Sequence, residues 1–268
     1  INITIHAPEE DYREVVSFIK EDPLSLGALV TTHKIDLYNA CRDLFDFLDP
    51  YAQAFGELSS ISKKDGRLAG HAKDPISSGL ALEAFVPKNF WRDHGGEVFI
   101  MGAGGSARAI AAYLFDKKQG TNIPSKMYIS NRSTPRLEAM KEIMKKLCPD
   151  APIEYHHCPD LSVNDNILKK LKPFSLIVNA TGLGKDRPGS PLSDQCEFPQ
   201  NSLVWEINYR GDLLFMHQAL RQKEKKNLTV EDGWIYFIHG WTQVIAEVFH
   251  IDITGEVFNR IERISNQN

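Results

Sequence analysis

Apolar and polar positions along this chain change period several times, and each change marks an element. From Pro8 to Lys20, Tyr12, Val15, Val16 and Ile19 fall on one helical face, which predicts an amphipathic helix. Ala28-Leu-Val-Thr31 is a short apolar run and predicts a strand. Leu37, Ala40, Cys41, Leu44, Phe45 and Leu48 return to helical spacing, with Asp49-Pro50 ending that helix. Gly56 to Ala69 predicts a hairpin turning at Lys64-Asp-Gly66, and Ser77 to Phe85 a further helix. Pro87 to Gly96 reads as a linker.

Strands and helices then alternate. Val98–Met101, Met127–Ser130, Ile153–Tyr155, Leu176–Val178 and Leu203–Ile207 predict strands. Ala107, Ile110, Ala111, Leu114 and Phe115 mark one intervening helix. Leu137, Met140, Ile143, Met144 and Leu147 mark another, opened by Thr134-Pro135. From Gly240 the pattern is helical again, through Ile245, Val248 and Phe249 and then Val257 and Ile261. The expected fold is α/β. A Rossmann-type doubly wound parallel sheet domain spans 89–239, after a smaller α/β substrate-binding domain over 1–88. C-terminal helices over 240–268 return to the first domain.

Chemistry concentrates where the first parallel strand ends. Gly102-Ala103-Gly104-Gly105-Ser106-Ala107 fits G-x-G-x-x-G/A between a strand and a helix, the context that gives this motif meaning. Gly102 makes the turn, Gly104 lets backbone approach a pyrophosphate, and Ala107 permits close helix–strand packing. The helix N-terminus offers free N–H groups to phosphates. The next strand decides which dinucleotide. An NAD site places an acidic group at its end for the ribose 2′-hydroxyl. Here Asn131-Arg132-Ser133 stands there instead, suited to a 2′-phosphate, with Arg136 as a second cation. The expected cofactor is NADP.

Bulk properties narrow the alternatives. The formal charge of −4, from 31 basic and 35 acidic residues, leaves no electrostatic footprint for nucleic acid. No apolar run approaches membrane-spanning length, and the four scattered cysteines are expected as reduced thiols of a cytoplasmic protein. His156-His157 has no third ligand at suitable spacing, so no metal is expected. The expected partner is a small-molecule substrate, bound by a monomer or homodimer, with neither nucleic acid nor membrane.

Several segments together resemble the shikimate dehydrogenase family. Val30-Thr-Thr-His-Lys34 resembles its V-T-x-P-x-K segment, and Gly66 to Asp74 its D-G-x-L-x-G-x-N-T-D segment. Gly102 to Arg108 is similar to its G-A-G-G-A-x-R loop, Asn131-Arg132-Ser133 to its N-R-[ST] element, and Asn179-Ala-Thr-Gly-Leu-Gly184 to its N-A-T-x-x-G loop. The resemblance implies that Lys34 and Asp74 form the proton-transfer pair and that Asn179, Thr181 and Gly182 shape the cofactor loop. It implies substrate contacts at Thr31, Ser59 and Gln243. Two asparagines that grip the ring hydroxyls of shikimate in the family correspond to Ser59 and Ala72 here, which implies an altered substrate. The implied activity is NADP-dependent hydride transfer to or from a small polar hydroxy or oxo compound. An NADP-binding metabolite sensor without catalysis is the alternative.

Overall fold

Apolar runs marked as buried strands form two sheets in the computed structural model, which describes residues 7–185 and 187–266. In chain order the elements begin with α1 (Glu9–Glu21), β1 (Gly27–Leu29), α2 (Lys34–Cys41), β2 (Phe47–Leu48), α3 (Pro50–Phe55), β3 (Ser60–Lys64), β4 (Arg67–His71), α4 (Asp74–Phe85) and α5 (Phe90–His94). Next come β5 (Val98–Met101), α6 (Gly105–Leu114), β6 (Met127–Asn131), α7 (Thr134–Leu147), β7 (Ile153–His157), α8 (Leu161–Leu168) and β8 (Leu176–Asn179). Then follow β9 (Leu203–Glu206), α9 (Leu214–Leu220), α10 (Lys223–Lys226), β10 (Thr229–Glu231), α11 (Trp234–Phe249) and α12 (Gly255–Ser265).

Two compact units result: Ile1–Ser77 with Ile238–Asn268, and Ser78–Phe237. The divisions fall inside α4 and α11, not at the 88/89 and 239/240 positions expected from the sequence. The reason is packing. Ala81 and Leu82 of α4 belong to the hydrophobic core of the second unit, and Ile235 and Tyr236 of α11, partly buried, pack against it.

In the first unit the strand order is β1-β3-β4-β2. Strands β3 and β4 form the expected hairpin, pairing from Ser60↔His71 to Lys64↔Arg67. Asp65 and Gly66 both have positive φ (50° and 74°), which matches the twist of a two-residue turn to its strands. The helix expected to continue to Leu48 stops at Cys41. Tertiary pairing overrides its periodicity: Phe47 and Leu48 form β2 alongside Ala69 and Gly70 of β4. Asp46 reinforces this, its carboxylate accepting from the Leu68 N–H at 2.8 Å.

In the second unit the strands are parallel, in the order β10-β9-β8-β5-β6-β7. Strand β5 is buried on both faces, as a central parallel strand must be. Its alternate residues feed two cores. Val98 and Ile100 pack with Ile110, Leu114 and Met140, while Phe99 and Met101 pack with Ile167, Phe198 and Phe215. The strand order reverses between β5 and β8, and the crevice at their carboxyl ends is where doubly wound sheets bind ligands. Strand β10 was not expected from its short, polar-flanked sequence. The expected linker contains α5, because Phe90 and Trp91 are each only 4% exposed and belong to the core.

Gly102 holds the carboxyl end of β5 in a conformation with φ +118°, and a Cβ there would lie 2.3 Å from the Ala180 carbonyl oxygen. Gly102→Ala is expected to destabilise the second unit by about 3 kcal/mol, from backbone strain and overpacking together. Equilibrium denaturant unfolding measures this; an unchanged midpoint would contradict the close approach.

Candidate functional site

The carboxyl ends of β5, β6 and β8 are tied to one another by backbone hydrogen bonds. Gly102 N–H donates to Ser130 O (2.7 Å) and Ala180 N–H to Met101 O (2.7 Å). Beyond β5, Gly104 is the N-cap of α6 and makes no side-chain cap, so the first amides of this helix are left for another acceptor. A Cβ on Gly104 or Gly105 would meet nothing within 4 Å, so the loop presents bare backbone beside open space. Ser106 is half-buried beside them. Ala103 and Ala107 are instead packed in the core at 1% and 0% exposure, which lets the helix sit close against the sheet.

At the ends of β6 and β8 lies a cavity of about 820 Å³. Its walls include Asn131, Arg132, Ser133, Arg136, Thr181 and Gly182, so six of the residues singled out in the sequence share one space. Asn131 Nδ2 donates to the Ser133 carbonyl (3.2 Å), and His157 Nε2 donates to that of Arg132 (3.1 Å), which fixes the turn carrying the guanidinium. Ser133 caps α7 without a side-chain hydrogen bond, leaving its hydroxyl available. The donor set is cationic and neutral, with no carboxylate in the Asn131-Arg132-Ser133 turn.

Asn179 does not line this cavity; it is 0% exposed. Its Oδ1 accepts from Thr181 N–H (3.1 Å) and Oγ1 (2.7 Å), and its Nδ2 donates to Leu183 O (3.2 Å) and Glu206 Oε2 (2.7 Å). Its role is to fold the β8 loop. Glu206, also 0% exposed, accepts in addition from Asn208 N–H (2.9 Å) and Nδ2 (2.6 Å). Burial pushes its carboxyl up to about 7, although these hydrogen bonds oppose the shift.

In the first unit Lys34 Nζ donates to Asp74 Oδ2 at 2.7 Å. Both residues stand at the first position of a helix, and both side chains are partly exposed, at 25% and 21%. His33, at φ 57°, turns the chain into α2, and Lys34 O accepts from Leu58 N–H (3.1 Å). The residue before Asp74 is clamped from both sides. Lys73 N–H donates to Ser59 Oγ (2.7 Å), and Lys73 O accepts from Ser77 N–H (3.0 Å) and Oγ (3.0 Å). The Lys73 ammonium pairs with Glu247 of α11, whose Oε1 also lies 3.1 Å from His71 Nε2. Burial alone would raise the Glu247 carboxyl. The hydrogen bond from Lys73 and the charges of His71, Lys73 and His250 outweigh it and hold the group below its ordinary value.

Ser59 differs from expectation. It is 2% exposed, and its hydroxyl is engaged with Lys73 N–H and the His71 carbonyl, so it orders the approach to Asp74. Thr31 is exposed ahead of α2, and Gln243 is half-buried on α11, one turn before Glu247.

No protein-family model matches the chain. Shikimate dehydrogenase (NADP(+)) of Streptococcus thermophilus is 33% identical over 206 residues, covering 76% of this chain and 65% of that protein. This chain therefore spans just under two thirds of that relative's length. Among solved structures, shikimate 5-dehydrogenase from Listeria monocytogenes in complex with shikimate and NAD superposes with a TM-score of 0.70 at 20% identity, over 96% of this chain and 82% of that one. Quinate dehydrogenase from Corynebacterium glutamicum in complex with NAD gives 0.70 at 17% identity, over 94% and 80%. Over most of its length the chain is thus similar to shikimate dehydrogenases in sequence and to shikimate and quinate dehydrogenases in fold.

Against the D-G-x-L-x-G-x-N-T-D segment that this chain resembles, two positions depart. Ala72, fully buried, stands at the asparagine position, and Lys73 at the threonine. Sequence reasoning missed Glu206, Asn208 and the Lys73–Glu247 pair. A glutamate closing the apolar run Leu-Val-Trp-Glu206 was a readable signal for the first. The pairing of Lys73 with Glu247 spans 174 residues and had no local signal. The four cysteines are free, and among the described residues no helix is long and apolar enough to cross a membrane.

Glu206 makes stability depend on pH. Its folded value near 7 lies above the ordinary 4.5, so between these the folded state binds more protons than the unfolded chain, and stability falls as pH rises through that window. The span corresponds to a loss on the order of 3 kcal/mol. Denaturant unfolding from pH 4.5 to 8 is expected to show this decline in the wild type and a flatter profile in Glu206→Gln. Parallel profiles would contradict it.

Proposed function

We propose that this chain is an NADP-dependent oxidoreductase of the shikimate dehydrogenase type, acting on a small polar hydroxy or oxo compound. The observation that carries the reading is the Lys34–Asp74 hydrogen bond of 2.7 Å, joining residues 40 positions apart. Moving a hydride between a nicotinamide and an alcohol carbon requires a proton to leave or reach the oxygen, and a partly buried lysine held by a carboxylate is suited to that task.

The residues present fit the dinucleotide. Bare backbone at Gly104 and Gly105 and the uncapped amides of α6 suit the pyrophosphate. Arg132 and Arg136, with Ser133, suit the 2′-phosphate, since a guanidinium forks onto phosphate oxygens. Thr181 and Gly182 would flank the cofactor, with Asn179 shaping their loop. The bound nicotinamide supplies or accepts the hydride. Lys34 gives the proton to the reacting oxygen in one direction and takes it in the other, while Asp74 fixes the orientation of the ammonium.

Substrate identity follows the departures. With Ala72 buried and the Ser59 hydroxyl turned inward, the amides that would read ring hydroxyls are gone, which favours a related polar alcohol or carbonyl compound over shikimate itself. Thr31 and Gln243 remain the candidate substrate contacts.

Lys34→Met is expected to lower kcat by about 10²- to 10⁴-fold while leaving the NADP dissociation constant unchanged. Equal turnover in the variant would show that Lys34 has been misassigned. Arg132→Ala is expected to weaken NADP binding by about 10- to 100-fold with little change for NAD, measured by titration calorimetry. Equal losses for both dinucleotides would place the 2′-phosphate elsewhere.

A further inference from the structure

A further cavity of about 430 Å³ opens on the second unit and shares no wall residue with the 820 Å³ cavity. Its size falls within the roughly 300–1,000 Å³ range of small-molecule sites. Helix α6 separates the two. Its first residue, Gly105, belongs to the glycine loop, while Tyr113 and Leu114 in its last turn line the further cavity, about 13 Å away along the helix axis. The remaining wall comes from the end of α4 and the turn into α5.

The floor is apolar. Leu82, Trp91 and Leu114 belong to the core of the unit, so packing fixes the surface they offer to a ligand. The mouth is polar, and its groups are held in place. A Cβ on Gly79 of α4 would lie 2.1 Å from the Tyr113 ring, so the missing side chain is what lets that ring pack against α4. The Tyr113 hydroxyl donates to Glu83 Oε1. Burial and this carboxylate push the hydroxyl up to about 12, so it remains the donor. The other Glu83 oxygen is left to accept from a ligand. Lys88, on the turn after α4, lines the same mouth and makes no ion pair among the described residues. Asn122 has its Oδ1 fixed by the Arg92 N–H (3.2 Å), which leaves its Nδ2 to donate.

A ligand here meets an anion, a cation and an amide N–H around an apolar floor. Glu83 repels a phosphate or a dicarboxylate, Lys88 repels a simple amine, and a hydrocarbon leaves both charges unmatched. An α-amino acid carries both complementary charges on one carbon. We propose that this cavity binds an apolar α-amino acid, with its ammonium at Glu83, its carboxylate at Lys88 and Asn122, and its side chain on the Trp91 floor. The inference is independent of the NADP reading.

Calorimetric titration of the full chain with L-leucine, L-methionine and L-phenylalanine tests it. At least one is expected to bind saturably below about 10 mM. Its N-acetyl and carboxamide derivatives, each lacking one charge, are expected to bind at least about tenfold more weakly. Lys88→Met and Glu83→Gln, both at exposed positions, are each expected to weaken that amino acid by about three- to tenfold and to leave the NADP dissociation constant unchanged. Absence of saturable binding by all three amino acids up to about 10 mM would overturn the inference. So would equal binding of either derivative, or an affinity unchanged in either variant, which would place the amino acid elsewhere. NADP is titrated separately, so its failure to bind would count against the cofactor reading alone.

Discussion

The nucleotide end of this protein depends on one close approach, the backbone of residue 102 against the carbonyl of Ala180. Only a residue without a Cβ fits at that spacing and at φ +118°. The approach follows from the topology. Strand β5 lies between β6 and β8, and the backbone bonds Gly102–Ser130 and Ala180–Met101 tie the three strand ends together. The glycine loop, the Asn131-Arg132-Ser133 turn and the Asn179-Ala-Thr181 loop are therefore held in register by main chain. Buried Glu206 and Asn179 then brace the last of these from beneath. Strain and an expensive buried carboxylate are concentrated where the chain must present polar backbone, and regular packing in the two cores offsets them.

The first unit solves a different problem with similar means. Lys34 and Asp74 each open a helix, so their side chains leave the backbone where the chain changes direction. Asp74 is fixed less by its own bonds than by those of Lys73, held through its N–H, its carbonyl and its ammonium. Lys73 thus brings a charge pair that anchors the chain beside Asp74 to α11.

How much of this was legible in the sequence varies with the range of the interaction. The β5–α6 turn and the cationic end of β6 are local, and Gly102, Gly104 and Arg132 could be read from spacing alone. The hairpin turn at Asp65-Gly66 was legible for the same reason. The helix through Leu44, Phe45 and Leu48 was misread because pairing of β2 with β4 is a tertiary effect that local periodicity does not encode. Strand β10 was invisible because three residues carry no period. Ser59 was assigned to substrate from its place in a motif, whereas its burial depends on how β3 and β4 meet. Nothing local links Lys34 to Asp74; the family resemblance suggested the pair, and the folded chain places them in hydrogen-bonding distance.

The central claim is that the pair serves redox chemistry and is more than structural. The most direct measurement is the rise in reduced-nicotinamide absorbance when NADP⁺ and the protein are mixed with shikimate, quinate and related polyhydroxy acids in turn. The account predicts a substrate-dependent rise with at least one of these and a slower rise when NAD⁺ replaces NADP⁺. Saturable NADP⁺ binding with no absorbance change across the whole set would contradict it and leave a binding protein in its place.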